Sequence, residues 1–328
     1  MRALLLGPAV HPFREGLQRM VTTKWDFVDV GFGMDDPALI REAASADAAI
    51  TVSFNKSAPP TPKLRLMQVP GAGYDGIELG AVPRGAALCN CFEHEPGCSE
   101  YAMLAMLEWS IRLGPADADM RRGDWSRSSR FGGAPDGELA GRTVAIVGLG
   151  RIGRAVAKRA KAFEMRVVAA NRTLRQNEGN VDAIFGLDQL DHAVRDADFV
   201  VLACALTPDT KGLIDARILR AMKNNAVIVN VARGPVIEEA ALFDALSNRR
   251  IGGAVIDTWW RYPTGPRQPV EEWPHRFDKL DNVILSAHIA GWTTGTVERR
   301  TQVMAANLDR LARGEKLANV ITIGGQST

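Results

Sequence analysis

The 328-residue chain is nearly free of net charge: 40 Lys and Arg stand against 38 Asp and Glu, leaving +2. A balance that even offers no field for nucleic acid or an anionic membrane surface, so neither is expected as a partner. Long apolar runs are missing as well, and none approaches the roughly 18 residues of a membrane span. The apolar stretch of the opening MRALLLGPAV is too short for a signal peptide and reads as a first strand. Cysteine is scarce. Cys89, Cys91, Cys98 and Cys204 suit the reduced thiols of a cytoplasmic protein better than a disulfide framework. Cys89-x-Cys91 lacks the two-residue gap of common zinc pairs, so no metal is expected. Internal repeats and low-complexity tracts are absent too.

What the chain does have is 46% hydrophobic residues, enough for the cores of two domains. Its organising stretch is TVAIVGLGRIGRAVAKRAKAF, residues 143–163. The unbroken apolar run ahead of Gly148 reads as a buried parallel strand. Gly148-Leu149-Gly150-Arg151-Ile152-Gly153 then opens an Ala/Lys/Arg-rich helix. In this context the first glycine permits a tight turn, the second lets backbone approach a pyrophosphate, and the third lets helix pack on strand. The helix N-terminus offers N–H groups to the phosphates. Strand before and helix after are the context that turns a weak motif into a dinucleotide site.

Around it, short apolar runs alternate with helical segments. Strands are expected at 2–6, 27–30, 48–52, 66–69 and 87–90, and again at 166–170, 199–204, 226–230, 253–257 and 283–285. Such alternation predicts parallel sheets with helices on both faces, the second a Rossmann-type sheet over roughly 116–288. Asp36 is a candidate cap for a helix through residue 44. Ser99 is read as the N-cap of a helix that Gly114-Pro115 stops near residue 113, its apolar stripe including Met103, Leu104, Met106, Leu107 and Ile111. Residues 121–135 read as an extended polar arm whose Trp125 and Phe131 need cover, a second subunit being one source. A last helix, 293–313, ends at Gly314.

Several residues carry chemistry. The acid that binds ribose hydroxyls is expected at the end of the second strand of the dinucleotide fold. Asn171 stands there, followed by Arg172, Thr173 and Arg175. A neutral side chain next to arginines removes repulsion from a 2′-phosphate and adds donors, so NADP(H) is favoured, with NAD(H) as the alternative. Arg233, past the strand ending at Asn230, can clamp a carboxylate or polarise a carbonyl. His288, past the strand ending at Leu285, is the best placed of five histidines for acid–base work. Gly71-Ala72-Gly73 either holds a carboxylate on backbone N–H groups or is a plain turn. Asn55 opens a proline-rich loop at a strand end, where ligands sit in open α/β sheets. Lys56 beside it is compatible with an anion.

The segments VPGAGYDGIE, DADMRRGDW, ELAGRTVAIVGLGRIG, LTPDTKGLI, VNVARGPVIEEAALFDAL, GAVIDTW and SAHIAGWT occur in this order, and the chain resembles the D-isomer-specific 2-hydroxyacid dehydrogenases over nearly its whole length. The resemblance implies two doubly wound parallel-sheet α/β domains, a Rossmann-type cofactor domain (99–289) inserted in a flavodoxin-like substrate domain (1–98 with 290–328). Residues 99–115 and 290–313 would be the linking helices, the active site would lie in the cleft, and a homodimer is implied. It implies a catalytic Arg233 and His288, a carboxylate site at Ala72 and Gly73, and a nicotinamide contact at Asp257. Cofactor contacts are implied along the same motifs, at Ala205, Thr207, Val231, Ala232 and His288 besides the glycine turn. The activity implied is reduction of a small 2-oxo acid, glyoxylate- or hydroxypyruvate-like, to the D-2-hydroxy acid.

Two departures stand out. Most relatives place a glutamate after the aspartate matching Asp257, where this chain has Tyr262. A neutral tyrosine supplies a hydrogen bond but not the charge that favours a protonated imidazole, so reduction is expected to fade at lower pH. Tyr262 is counted with the catalytic residues, and Glu271 and Glu272 are alternative partners for His288. Phe92-Glu93-His94-Glu95 replaces the usual Pro-Gly-x-Asn, and His94 is counted with the substrate contacts; a solvated loop is the other reading. Trp259, Trp260 and Trp273 wall an apolar pocket or pack domains together. Loss of the glutamate also keeps open a non-catalytic dinucleotide sensor, and a formate- or phosphite-like donor is a third reading.

Overall fold

A computed structural model describes residues 1–31, 33, 35–173, 179–263, 265–267, 269 and 272–325. The expectations on Arg175 and Glu271 lie outside the described residues. The chain divides into two compact units, Met1–His94 with Thr293–Thr328, and Glu95–Trp292.

The first unit contributes β1 (Arg2–Leu6), α1 (Arg14–Met20), β2 (Asp26–Val30), α2 (Pro37–Glu42), β3 (Ala48–Thr51), β4 (Leu66–Gln68) and β5 (Ala87–Cys89). The second contributes α3 (Glu95–Ile111), α4 (Leu113–Arg121), β6 (Thr143–Val147), α5 (Arg151–Ala162), β7 (Arg166–Ala170) and β8 (Ala183–Phe185). It continues with α6 (Leu190–Arg195), β9 (Phe199–Leu202), α7 (Ala216–Ala221), β10 (Val227–Asn230), α8 (Glu239–Ser247), β11 (Gly253–Ile256) and β12 (Val283–Leu285). The chain then returns to the first unit with α9 (Thr294–Arg313) and β13 (Val320–Ile323).

In the first unit the strand order is β13-β5-β4-β3-β1-β2. The five parallel strands keep the flavodoxin-like order, and β13 adds an antiparallel edge against β5. The expected strands form the parallel part of this sheet, and β13 joins its edge as a strand whose exposed, irregular pattern carried no strand signal. Asp36 caps α2 by accepting the N–H groups of Ala38 and Leu39. Thr293 caps α9, and Gly314 closes it in the left-handed region at φ 71°.

The second unit has the order β12-β11-β10-β9-β6-β7-β8, the Rossmann order with one strand added beyond β11. Strands β6, β9, β10 and β11 are buried throughout, as their unbroken apolar runs require. Helix α3 starts at Glu95, not after Ser99, so the N-cap reading is corrected. The hydroxyl of Ser99 bonds back to the carbonyls of Glu95 and Pro96 at 2.7 and 2.9 Å, inside the helix. Gly114-Pro115 does not stop a helix either. It lies in the first turn of α4, where a missing N–H costs nothing. Helix α4 ends at Arg121, where the expected arm begins. Leu104 is 61% exposed, so the buried stripe of α3 runs instead through Cys98, Ala102, Met103 and Met106 against β6 and α5.

Candidate active site

The β6–α5 turn shows each glycine for a separate reason. Gly148 has φ 96°, and a Cβ there would lie 2.6 Å from the backbone of Cys204. A Cβ on Gly153 would lie 2.1 Å from the carbonyl oxygen of Gly148. Gly150 differs, because a Cβ there would meet nothing within 4 Å. It is also the N-cap of α5 and provides no side-chain cap. The turn is thus closed on its protein side at Gly148 and Gly153 and open at Gly150, a cradle that fits a pyrophosphate.

Asn171, at the end of β7, braces this cradle. Its Oδ1 accepts the N–H of Leu149 at 3.1 Å and its Nδ2 donates to the carbonyl of Thr173 at 2.9 Å. Arg172 and Thr173 are exposed beside it. Arg151 is paired with Glu95, Nη1 to Oε1 at 3.7 Å, and Ile152 packs into the core under α3. After β9, Thr210 ties the loop holding Ala205 and Thr207. Its hydroxyl donates to the carbonyl of Ala205 at 2.7 Å and accepts the N–H of Thr207 at 2.8 Å.

Strands β10, β11 and β12 stand side by side, with Asn230 opposite Ile256 and Ile256 opposite Leu285. The loops leaving their C-terminal ends carry Arg233, Asp257 and His288 from one rim. Asn230, wholly buried, accepts the N–H of Ala232 at 3.0 Å and donates to the carbonyl of Arg233 at 3.1 Å. That clasp turns Val231 and Ala232 inward and leaves Arg233 half-buried, its Nη1 donating to the carbonyl of Ala232 at 2.9 Å. Gly234 brings the loop against the one after Asp257, since a Cβ there would lie 2.2 Å from the carbonyl carbon of Trp259.

His288 adopts the left-handed region at φ 57°, an uncommon backbone for a residue with a side chain. Asp257, with no exposed surface, holds it there. Its carbonyl accepts the N–H of His288 at 2.8 Å, and its carboxylate accepts the N–H groups of Ile289 and Ala290 at 2.8 and 3.0 Å. Ser286 donates its hydroxyl to the same carboxylate at 2.6 Å. A hydroxyl has one proton to give, so Tyr101, 2.5 Å from Ser286 Oγ, donates to it in turn. Burial, reinforced by the Asp257 charge, pushes the Tyr101 phenol up despite its bond to Ser286, and it stays a donor at neutral pH. In these contacts Asp257 acts on the turn that carries His288.

Tyr262 is half exposed and lies against the imidazole, ring centroids 5.5 Å apart at 38°. Its hydroxyl oxygen is 3.4 Å from the backbone nitrogen of Trp259. Tyr262 and His288 meet ring to ring. Glu272 is exposed on the following loop.

In the first unit, the carbonyls of Gly71 and Ala72 accept from the Cys91 backbone at 3.0 Å and Asn90 Nδ2 at 2.9 Å, fixing the turn that includes Gly73. Phe92, Glu93 and His94 are half-buried, which corrects the solvated-loop reading. Arg299 grips the Glu93 carbonyl at 3.1 and 3.0 Å, and Arg300 the Phe92 carbonyl at 3.0 Å. Asn55 Oδ1 accepts from Ser57, so its carbonyl group is spent on the local turn. Lys56, read as compatible with an anion, pairs with Glu78 at 2.7 Å, so its charge is matched within the protein. No metal-binding group of His, Cys, Asp or Glu occurs among the described residues.

Sequence reasoning missed Asn230, Ser286, Tyr101 and Thr210 as positioning residues. A buried asparagine closing an apolar strand was the available signal for the first. The others depend on long-range pairing.

Against known proteins, residues 103–290 match the family described as D-isomer specific 2-hydroxyacid dehydrogenase, NAD binding domain. The chain is 33% identical over 290 residues to glyoxylate reductase of Pyrococcus horikoshii, covering 84% of this chain and 83% of that protein. It is 30% identical over 302 residues to D-3-phosphoglycerate dehydrogenase of Methanocaldococcus jannaschii, covering 90% of this chain but only 55% of that protein. Among solved structures, the NADPH-dependent glyoxylate/hydroxypyruvate reductase of Sinorhizobium meliloti in complex with citrate superposes with a TM-score of 0.79. It is 26% identical, with 100% of this chain and 99% of that one covered. The chain belongs to the D-isomer-specific 2-hydroxyacid dehydrogenase family. It is an oxidoreductase with a nicotinamide dinucleotide site in its second unit.

Proposed function

We propose that the protein reduces a 2-oxo acid to the D-2-hydroxy acid with NADPH in preference to NADH. The observation that supports this most is one rim that carries a guanidinium and an imidazole on the sheet that also bears the open glycine cradle. Gly148–Gly153, with the α5 N-terminus, would hold the dinucleotide phosphates, and Asn171, Arg172 and Thr173 its ribose end. When bound, the nicotinamide supplies the hydride that C2 of the substrate receives.

Arg233 binds the substrate anion and draws electron density toward the carbonyl oxygen, which lowers the cost of charge building there. His288, protonated, gives its proton to that oxygen and returns to the imidazole. Ala72 and Gly73, with Asn55 and His94, are the proposed substrate contacts of the first unit. The preference for NADPH rests on a neutral Asn171 followed by Arg172. The exposed Trp125 and Phe131, 54% and 70% exposed, favour a homodimer that covers them.

The test is a panel of 2-oxo acids, from glyoxylate and hydroxypyruvate upward, assayed with NADPH and NADH for wild type and Arg233→Ala. Turnover lost by a factor of about 100 or more in the variant is expected, since a charge-assisted contact to the reacting group is removed. A wild-type protein that binds NADPH yet turns over no 2-oxo acid would sink the proposal.

A further inference from the structure

We infer that a cavity beside His288 receives the group attached to C2 of the substrate, and that this group is flat, bulky and uncharged. The protein's 2-oxo acids would then be aryl-substituted ones, with glyoxylate and hydroxypyruvate as poor, undersized substrates. The inference rests on the reductase reading and names the substrate class for the same site.

The cavity measures about 590 Å³ and is walled by Trp259, Trp260, Tyr262, Trp273, Phe277 and Leu285, all on the second unit. That is ample for an aromatic ring and far larger than a hydrogen or hydroxymethyl group needs. The cavity borders the reacting site at Tyr262, whose ring both lines it and meets the imidazole of His288. Ser286 and Ala287, which lead into His288, line it too.

The chemistry of the wall is decided by where its polar atoms go. Trp259 Nε1 donates to the carbonyl of Ser286 at 2.9 Å, and Trp260 Nε1 to the carbonyl of Ile237 at 2.7 Å. With both indole N–H groups spent, these side chains offer the cavity carbon and π faces. Trp259 and Trp273 are tilted at 46° with centroids 4.8 Å apart, and Trp260 stacks on Phe277 at 5.6 Å. A ring entering among them can take the offset or edge-on contacts that aromatic groups favour. Of the charged residues on the wall, Arg261 and Glu239 face each other at 3.7 Å and largely cancel. Among the described residues the other carboxylate on the wall is Glu272, and it opposes a substrate carrying a second carboxylate or a phosphate. A monoanionic acid with an apolar ring is the ligand this wall accepts.

The test compares phenylpyruvate, glyoxylate and a dicarboxylic 2-oxo acid in wild type, Trp273→Ala and Trp273→Phe. Binding of phenylpyruvate without turnover is followed in parallel by quenching of tryptophan fluorescence. We expect wild-type kcat/KM to favour phenylpyruvate over both other acids by about tenfold or more. Trp273→Ala should lower that ratio to glyoxylate by about tenfold, mostly through KM, and Trp273→Phe should restore much of it. Saturable quenching should weaken in the same order. Turnover of glyoxylate with no preference for phenylpyruvate, or a preference that Trp273→Ala leaves untouched, overturns the inference while the reductase reading stands. Saturable quenching by phenylpyruvate with no turnover of any acid overturns the reductase reading instead.

Discussion

His288 donates its backbone N–H to the carbonyl of Asp257 at 2.8 Å, while the carboxylate of that aspartate gathers the N–H groups of Ile289 and Ala290. The imidazole is therefore aimed by a backbone clasp at the end of β11, and its left-handed φ is tolerated because the clasp overdetermines it. Replacing the carboxylate by an amide sets a donor against donors. Asp257→Asn should cost about 1–3 kcal/mol of stability and, by misplacing the imidazole, lower kcat by up to about 100-fold. Thermal unfolding and steady-state kinetics check the two arms. A stable variant with unchanged kcat would show that the clasp does not position His288.

The glycine turn separates a folding role from a binding role. At Gly148, positive φ and a Cβ 2.6 Å from the Cys204 backbone leave no room, so Gly148→Ala should destabilise strongly, by about 2 kcal/mol or more. At Gly150 the space is open, so Gly150→Ala should shift stability by no more than about 1 kcal/mol. It should nevertheless weaken NADPH binding, because the new methyl stands where phosphate would approach. Unfolding midpoints and a fluorescence titration with NADPH separate the two. Equal binding by wild type and a folded Gly150→Ala would remove the cradle from the cofactor site.

Those glycines, the strand ends and the rim positions of Arg233 and His288 were legible because each comes directly from chain-local pattern. An apolar run must be buried, and the loop leaving its C-terminal end lies at the rim of the sheet. The boundary of α3 was not legible, since Ser99 looks like a cap by type, but the burial of Cys98 and Ser99 against the sheet decides where the helix begins. Tyr101, Ser286 and Asp257 are far apart in sequence, and their hydrogen-bonded chain exists only once α3 lies across the sheet. Strand β13 was missed for the same reason: its partner is β5, separated from it in sequence by the whole inserted domain.

Tyr262 presents a neutral ring to His288. A carboxylate at that position favours the protonated imidazole, which is the form that donates in reduction, so Tyr262→Glu should carry activity to higher pH. A shift of about one pH unit corresponds to about 1.4 kcal/mol of charge interaction. The measurement is kcat/KM for reduction against pH in both proteins. Superimposable profiles would mean that Tyr262 does not set the working range.

In the first unit, Asp309 holds the backbone and hydroxyls of Thr22 and Thr23, with the Thr22 and Thr23 N–H groups each at 2.9 Å. Burial alone would raise its carboxyl, but the threonine bonds outweigh that and leave it below the ordinary value. A group depressed in the folded state stabilises above its unfolded value, near pH 4, and loses that contribution as pH falls through the folded value. Asp309→Asn should therefore lower the unfolding midpoint at pH 7, and the gap to wild type should narrow below about pH 4. A gap independent of pH would assign the loss to packing.

Asn171 has two bonds of different fate in a swap to the acid expected at that position. As an aspartate it still accepts the Leu149 N–H, but it can no longer donate to the Thr173 carbonyl, and it brings a negative charge next to Arg172. The cradle should survive, because the bond that braces it is the one retained. A 2′-phosphate would meet repulsion where it met none, whereas ribose hydroxyls would gain an acceptor. Asn171→Asp should thus raise KM for NADPH by about tenfold, a cost of about 1.4 kcal/mol, with KM for NADH unchanged or lower. Initial rates with each cofactor at a saturating 2-oxo acid give the ratio directly. If both KM values rise together, the substitution has only loosened the turn at Leu149, and the choice of cofactor belongs to other residues.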